Sequence, residues 1–205
     1  AATPDNRYIV FTSNRTGTSQ LWRMNLDGSN QMQLTDGATK DYAAISSDSK
    51  WVIFNTTDDW HLWKVSIDGG DPLSLTDYPA SYPSVSPDGK MIACLQRSEP
   101  KRELSILLLP FGGGGPLRKI EFTGGGFSGY RIEWAANGNA LIYAVERNGQ
   151  QAIIRQSLDG SPGEEVAFGE DYLFDFGYSS DGQSFAITRG SWQHDIVLIS
   201  DLNKL

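Results

Sequence analysis

The strongest constraint on the fold is a short turn sequence that recurs five times along the chain. Its clearest copy is Ser-Pro-Asp-Gly-Lys at residues 86–90, and related copies occupy residues 3–7, 46–50, 135–139 and 179–183. Counted at the Asp or Asn of each copy (5, 48, 88, 137 and 181), the steps are 43, 40, 49 and 44 residues. A period of about 40–45 residues is typical of propeller-type repeat arrays.

The residue types of this sequence explain why it forms a turn. Proline sets φ at the second position, the aspartate side chain bonds to nearby backbone, and glycine or asparagine tolerates a positive φ. Short segments rich in β-forming residues flank each copy, such as residues 8–13 and 51–55. Each copy therefore predicts a tight turn between two strands.

The repeats predict an all-β domain over residues 1–205. The approximate repeat boundaries are 1–40, 41–80, 81–128, 129–170 and 171–205, with three, four, four, four and three strands. Ala1 and Ala2 align with Ala44 and Ile45, the last positions of an inner strand, so we expect the first repeat to lack its inner strand and the last to lack its outer strand. We expect a β-propeller of about five partial four-stranded blades, which forms an open arc or part of a six- or seven-bladed propeller.

Stacking around an axis would hide the two apolar faces of each short sheet. The third strands carry a Leu-Trp pair in the first two repeats, and we expect Trp22 and Trp63 to pack between blades.

Composition excludes several functional classes. The chain has 17 basic and 25 acidic residues and a net charge of −8, which disfavours binding to nucleic acid or to anionic membranes. No run of about 18 apolar residues could span a bilayer, and the chain opens inside a repeat rather than with a signal peptide. Its one cysteine, Cys94, lies in an apolar segment typical of a buried residue.

No motif predicts catalysis, a metal or a cofactor. Residues 126–129 (Gly-Phe-Ser-Gly) lack the spacing of a nucleophile elbow and are interpreted as a flexible turn. The two histidines, His61 and His194, are interpreted as exposed strand and loop residues. The carboxylate pairs at 58–59 and 164–165 are interpreted as solvated loop charges, the second pair preceding an edge strand. The glycines at 112–115 lack the Lys-Ser/Thr of a phosphate-binding loop.

One set of positions is a candidate binding surface. Six residues before the turn Asp or Asn of successive repeats stand Tyr42, Tyr82, Arg131 and Asp175. They fall near the start of each innermost strand, so we expect them to meet at one mouth of the central channel, with Asp36 and Asp77 on the same face. The alternative is that the tyrosines pack between blades with their hydroxyl groups satisfied.

The repeat pattern resembles the WD-like repeat of the TolB-type β-propellers. The resemblance rests on Ser-Pro-Asp-Gly-Lys, a Leu-Trp strand that ends at Asp-Gly (27–28 and 68–69), and Leu-Thr-Asp (34–36 and 75–77). It covers essentially the whole chain, and the fourth repeat departs most, with Asn137 for Asp and no Leu-Trp pair. It implies a fragment of a larger bacterial multidomain protein, in a periplasmic or extracytoplasmic setting.

The resemblance and the residues leave three functional hypotheses. The first is a non-catalytic module that recognises a protein or peptide, as the sensor or scaffold part of a larger protein. The second is the substrate-gating propeller of a peptidase-type hydrolase. The third is a carbohydrate-active propeller, which the scarcity of histidines disfavours. The unpaired strand edges of the first and last blades also predict self-association.

Overall fold

A computed structural model describes residues 1–38, 40–98, 103–122, 125–169, 172–178 and 184–191. These residues form antiparallel β-sheets and include no helix. In chain order the first two sheets contain β1 (Tyr8–Ser13), β2 (Gln20–Asn25) and β3 (Met32–Gln33), then β4 (Lys40–Ile45), β5 (Trp51–Thr56), β6 (Leu62–Ser66) and β7 (Leu73–Ser74).

Three further sheets follow along the chain. They contain β8 (Ser81–Val85), β9 (Met91–Arg97), β10 (Leu104–Pro110) and β11 (Arg118–Glu121); β12 (Gly126–Trp134), β13 (Ala140–Arg147), β14 (Gln150–Ser157) and β15 (Glu164–Gly169); and β16 (Tyr172–Tyr178) with β17 (Phe185–Gly190). Neighbouring sheets contact each other through β4, β8, β12 and β16, so the sheets form an open arc of propeller blades. The predicted all-β propeller fold is confirmed.

The first blade keeps only the end of an inner strand. Ala2 pairs with Ile9, and the Ala1 amino group donates to the Val10 carbonyl at 2.7 Å. Ile45 pairs with Val52 in the second blade, and both residues lie 43 positions after their counterparts. The predicted alignment of Ala1 and Ala2 with Ala44 and Ile45 is therefore confirmed.

Three of the four described copies of the turn share one side-chain hydrogen-bonding pattern, and the copy at 135–139 lacks it because Ala135 has no hydroxyl. In the third blade the buried Ser86 hydroxyl donates to Asp88 Oδ1 at 2.7 Å and accepts the Met91 N–H at 2.9 Å. The residue after the Asp or Asn has a positive φ in each, and these residues are Asn6 (56°), Ser49 (61°), Gly89 (71°) and Gly138 (70°). The copy at 179–183 lies outside the described residues.

The core lies between the blades. One cluster joins Val10 and Leu21 of the first blade to Val52 and Phe54 of the second, and Trp63 packs against it as predicted. Similar clusters join the second blade to the third and the third to the fourth. These contacts bury sheet faces that a single blade would leave in water.

The prediction for Trp22 is wrong. Trp22 pairs with Phe11, one position out of phase with the buried Leu21, so it lies on the sheet face turned away from the second blade. The Arg15 guanidinium covers its ring at 4.6 Å from the centroid.

Two further interpretations from the sequence are wrong, and other predicted features lie outside the residues that the structure describes. Residues 126–129 begin strand β12 instead of forming a turn, because Gly126 and Phe127 pair with Glu146 and Val145. Residues 164–165 lie within the edge strand β15, not before it. His194 and the last of the three strands predicted for the fifth repeat, at residues 195–200, lie outside the described residues. Within the described ranges, no helix has the length and apolar character needed to cross a bilayer.

Candidate functional site

The two tyrosines predicted at the channel share an uncommon backbone conformation. Tyr42 in β4 has a φ of 46° and Tyr82 in β8 a φ of 52°, in the left-handed region that bulky residues rarely adopt. Each lies at a shift in the strand register, between Asp41 and Ala44 and between Ser81 and Ser84. A β-bulge re-aims a side chain away from the regular alternation. The same irregularity therefore turns both tyrosines in the same way.

Their rings contact each other across the junction of the second and third blades. The centroids of Tyr42 and Tyr82 are 4.0 Å apart with an interplanar angle of 41°. Phe127 of the fourth blade continues the row, 6.0 Å from Tyr82. Tyr82 also packs against the cluster between the third and fourth blades. The residues thus combine inter-blade packing with an aromatic surface.

The two charged residues of the predicted set, Arg131 and Asp175, meet where the fourth blade contacts the fifth. Arg131 Nη1 lies 3.2 Å from Asp175 Oδ1 and 3.3 Å from Oδ2, and Arg131 Nε lies 2.5 Å from Glu133 Oε1. Arg131 Nη1 also donates to the Phe176 carbonyl at 3.4 Å. One guanidinium therefore bridges two carboxylates from neighbouring inner strands.

Aromatic and charged groups line one cavity of about 590 Å³. Its wall is made by the inner strands β4, β8, β12 and β16 together with Ala1, Ala2, Pro4 and Ala144 of β13. Tyr42, Tyr82, Arg131 and Asp175 all belong to this wall, which we call the channel groove. The structure thus brings four of the six predicted site residues together, and their role in binding remains a prediction.

Asp36 and Asp77 are not part of the groove lining. Both are exposed in the connections that lead from an outer strand to the next inner strand. The Leu-Thr-Asp motif has a structural explanation, because its buried threonines, Thr35 and Thr76, accept the backbone N–H groups of Leu21 and Leu62 at 3.0 and 2.9 Å. Asp36 instead lies near Lys40. Burial lowers the pKa of Lys40, although the charges of Asp36, Asp58 and Asp59 oppose this shift.

Glu133 is a groove residue that the sequence reasoning missed. Its side chain is 23% exposed, and burial raises its pKa while the Arg131 charge opposes that rise. The available signal was strand alternation, since Glu133 lies two residues after Arg131 and therefore on the same face of β12. The repeat comparison did not reveal it, because the corresponding positions of the second and third repeats are Ala44 and Ser84.

The other chemically interesting residues have structural partners. Asp59 accepts the His61 N–H at 3.0 Å, and the His61 ring lies 3.4 Å from the same carboxylate. Ser128 accepts a hydrogen bond from the Gln151 amide. Cys94 is buried, and burial raises its pKa to about 12. In the ranges that the structure describes, no three His, Cys, Asp or Glu side chains are grouped as metal ligands.

Two sequence comparisons match parts of the chain. Residues 2–101 match the family described as the dipeptidyl peptidase IV N-terminal region. A stretch of 39 residues is 49% identical to an uncharacterized protein of Agrobacterium fabrum, and this stretch is 19% of the chain and 13% of that protein.

Solved structures show the fold over most of the chain. TolB from Acinetobacter baumannii superposes with a TM-score of 0.69 at 20% identity, over 82% of this chain and 43% of its own. A TolB-like protein from Agrobacterium tumefaciens gives 0.76 at 20% identity, over 93% and 68%. The chain therefore has the TolB-type β-propeller fold, and it spans less than half of the Acinetobacter protein.

Proposed function

We propose that the chain is a non-catalytic recognition module that binds a protein or peptide segment in the channel groove. In this proposal it serves as the sensor or scaffold part of a larger bacterial protein. The aromatic pair would supply contact area, and the charged residues would supply orientation.

The observation that carries the proposal is the convergence of four bulged inner strands on one groove. Bulges are found where a strand must re-aim a side chain, and strained residues concentrate at functional sites. Tyr42 and Tyr82 carry this strain in two different blades. Tyrosine and arginine are also among the residue types enriched at protein-binding surfaces.

A selection of random peptides displayed on phage tests the proposal. We expect the immobilised chain to enrich peptides whose binding falls by at least about tenfold with Tyr82→Ala. Tyr78→Ala is the matched control, because Tyr78 is half-buried but lies in the β7–β8 connection, where its hydroxyl is 3.2 Å from the Gly114 carbonyl. Failure to enrich any peptide, or equal losses with both variants, would overturn the proposal.

A second candidate is the substrate-gating propeller of a peptidase. The match of residues 2–101 to the dipeptidyl peptidase IV N-terminal region favours it. An α/β-hydrolase domain encoded in the same gene would support this candidate. Its absence from the complete gene would leave the recognition module as the better account.

A further inference from the structure

The carboxylates of the channel groove outnumber the cation that neutralises them. Arg131 is shared between Glu133 and Asp175, so these three residues leave one negative charge. Glu133 is mostly buried, where an incompletely paired carboxylate is costly. An additional cation in the groove would lower that cost.

Two of the three guanidinium nitrogens of Arg131 are already engaged, and Glu133 retains an acceptor. Nε bonds to Glu133, and Nη1 contacts both oxygens of Asp175 and the Phe176 carbonyl. Glu133 uses Oε1 for Arg131, and no described residue hydrogen-bonds to Oε2. The wall can therefore accept a hydrogen bond from a ligand at Glu133.

The aromatic part of the groove also favours a positively charged ligand. The faces of tyrosine rings attract ammonium and guanidinium groups. This chain makes such contacts elsewhere, since the Arg23 guanidinium lies 4.2 Å from the Tyr8 ring centroid and Lys64 Nζ lies 4.9 Å from that of Trp51. Tyr42 and Tyr82 line the groove together with these carboxylates.

One further charged group faces the groove. The Ala1 amino group donates to Val10, and its pKa is lowered first by burial and then by Arg131. At about pH 8 more than half of this group is uncharged, because its pKa lies below the unperturbed value near 8. The net charge of −8 for the whole chain adds a long-range attraction for basic ligands.

We infer that the channel groove selects peptide segments that carry a lysine or arginine side chain. The cation lies against the Tyr42–Tyr82 pair and pairs with Glu133 and Asp175. This inference rests on the proposed function, because it specifies the class of peptide that the recognition module takes.

Binding of four peptide pools tests the inference. The pools are random except for one fixed central residue, which is lysine, norleucine, glutamine or glutamate, and fluorescence anisotropy at about pH 8 compares them. We expect the lysine pool to bind about tenfold more tightly than the norleucine and glutamine pools and the glutamate pool to bind least. Added salt should reduce the lysine preference, because the contacts are partly exposed.

Substitutions that remove one charge and nearly keep the side-chain size test whether the lysine preference arises in the groove. Glu133→Gln should reduce the lysine preference to about twofold or less, whereas Arg131→Gln should increase it by removing the competing cation. Glu165→Gln is the matched control, because Glu165 pairs with Arg147 at 2.7 Å on the outer strand β15. Circular dichroism confirms that each variant is folded.

The outcomes separate this inference from the proposed function. If none of the pools binds, both fail. If pools bind with a loss for Tyr82→Ala but without a lysine preference, only the inference fails. A preference for glutamate that disappears with Arg131→Gln would show that the groove selects acidic segments instead.

Discussion

Individual side chains in this fold divide into those that build turns and those that line the groove. Ser86 belongs to the first group, because its hydroxyl joins the Asp88 carboxylate to the Met91 backbone. Tyr42 belongs to the second, because its backbone is held in the left-handed region while its ring lines the groove. Substitution of a turn residue should therefore lower stability, whereas substitution of a groove residue should lower peptide binding.

Substitution of Ser86 should destabilise the third blade. Ser86→Ala removes two hydrogen bonds and leaves the Met91 N–H without its acceptor, which costs about 1–2 kcal/mol in the free energy of unfolding. Urea denaturation followed by tryptophan fluorescence measures the change. The exposed Ser47 serves as control, and Ser47→Ala should change stability by less than about 0.5 kcal/mol. Equal stability of Ser86→Ala and the wild type would contradict the structural role.

Substitution of Tyr42 separates recognition from packing. Tyr42→Asn places a residue that tolerates positive φ at this position and relieves roughly 1 kcal/mol of strain, which offsets the lost ring contact with Tyr82, so stability should change by less than about 1 kcal/mol. Binding of selected peptides should fall about tenfold. If the alternative holds and the tyrosine serves chiefly to pack the blades, the variant should instead lose about 3 kcal/mol or more.

The turn aspartates predict acid sensitivity. Hydrogen bonds, first of all from the Ser46 and Ser86 hydroxyls, lower the pKa of Asp48 and Asp88. Because a lowered folded pKa favours the ionised form, this stabilisation is present above the unfolded value of about 3.9 and is lost as pH falls through the folded pKa. We therefore expect the free energy of unfolding to fall below about pH 4. Asp88→Asn should make that acid limb shallower, and an unchanged limb would contradict this explanation.

At the scale of single strands, sequence reasoning located most elements but not their irregularities. The prediction for residues 8–13 coincides with β1, because β-forming residues and a turn define both of its ends. The register shifts of β4 and β8 were not predicted, because residue alternation does not encode where a strand gains an extra residue. Residues 126–129 were misinterpreted, because glycine favours turns locally whereas pairing with β13 holds this segment extended.

The edge of β1 predicts self-association. The backbone N–H of Val10 bonds to Ala1 on the inner side of β1. Backbone groups two residues apart point to the same side of a strand, so the N–H and C=O groups of the exposed Thr12 also point to the inner side. Pairing through this edge should give dimers whose fraction rises with concentration in sedimentation velocity experiments. Thr12→Pro removes the edge donor without touching the β1–β2 ladder and should weaken the dimer. A monomer at all concentrations would contradict the prediction.

At the scale of the whole molecule, the blade array and the groove are consequences of the same repeat. Radial stacking buries the sheet faces and brings the innermost strands side by side. The same position of successive repeats then meets at one axis, which is why spacing alone predicted Tyr42, Tyr82, Arg131 and Asp175 together. Glu133 was missed because it belongs to one repeat only, and comparison between repeats cannot reveal such a residue.

Hydrogen–deuterium exchange with and without a selected peptide tests the central claim, recognition at the inner strands, most directly. Bound peptide should protect amides of β4, β8, β12 and β16 and leave the outer strands β7, β11 and β15 unchanged, with the effect lost in Tyr82→Ala. Protection confined to the outer strands, or unaffected by Tyr82→Ala, would contradict the account.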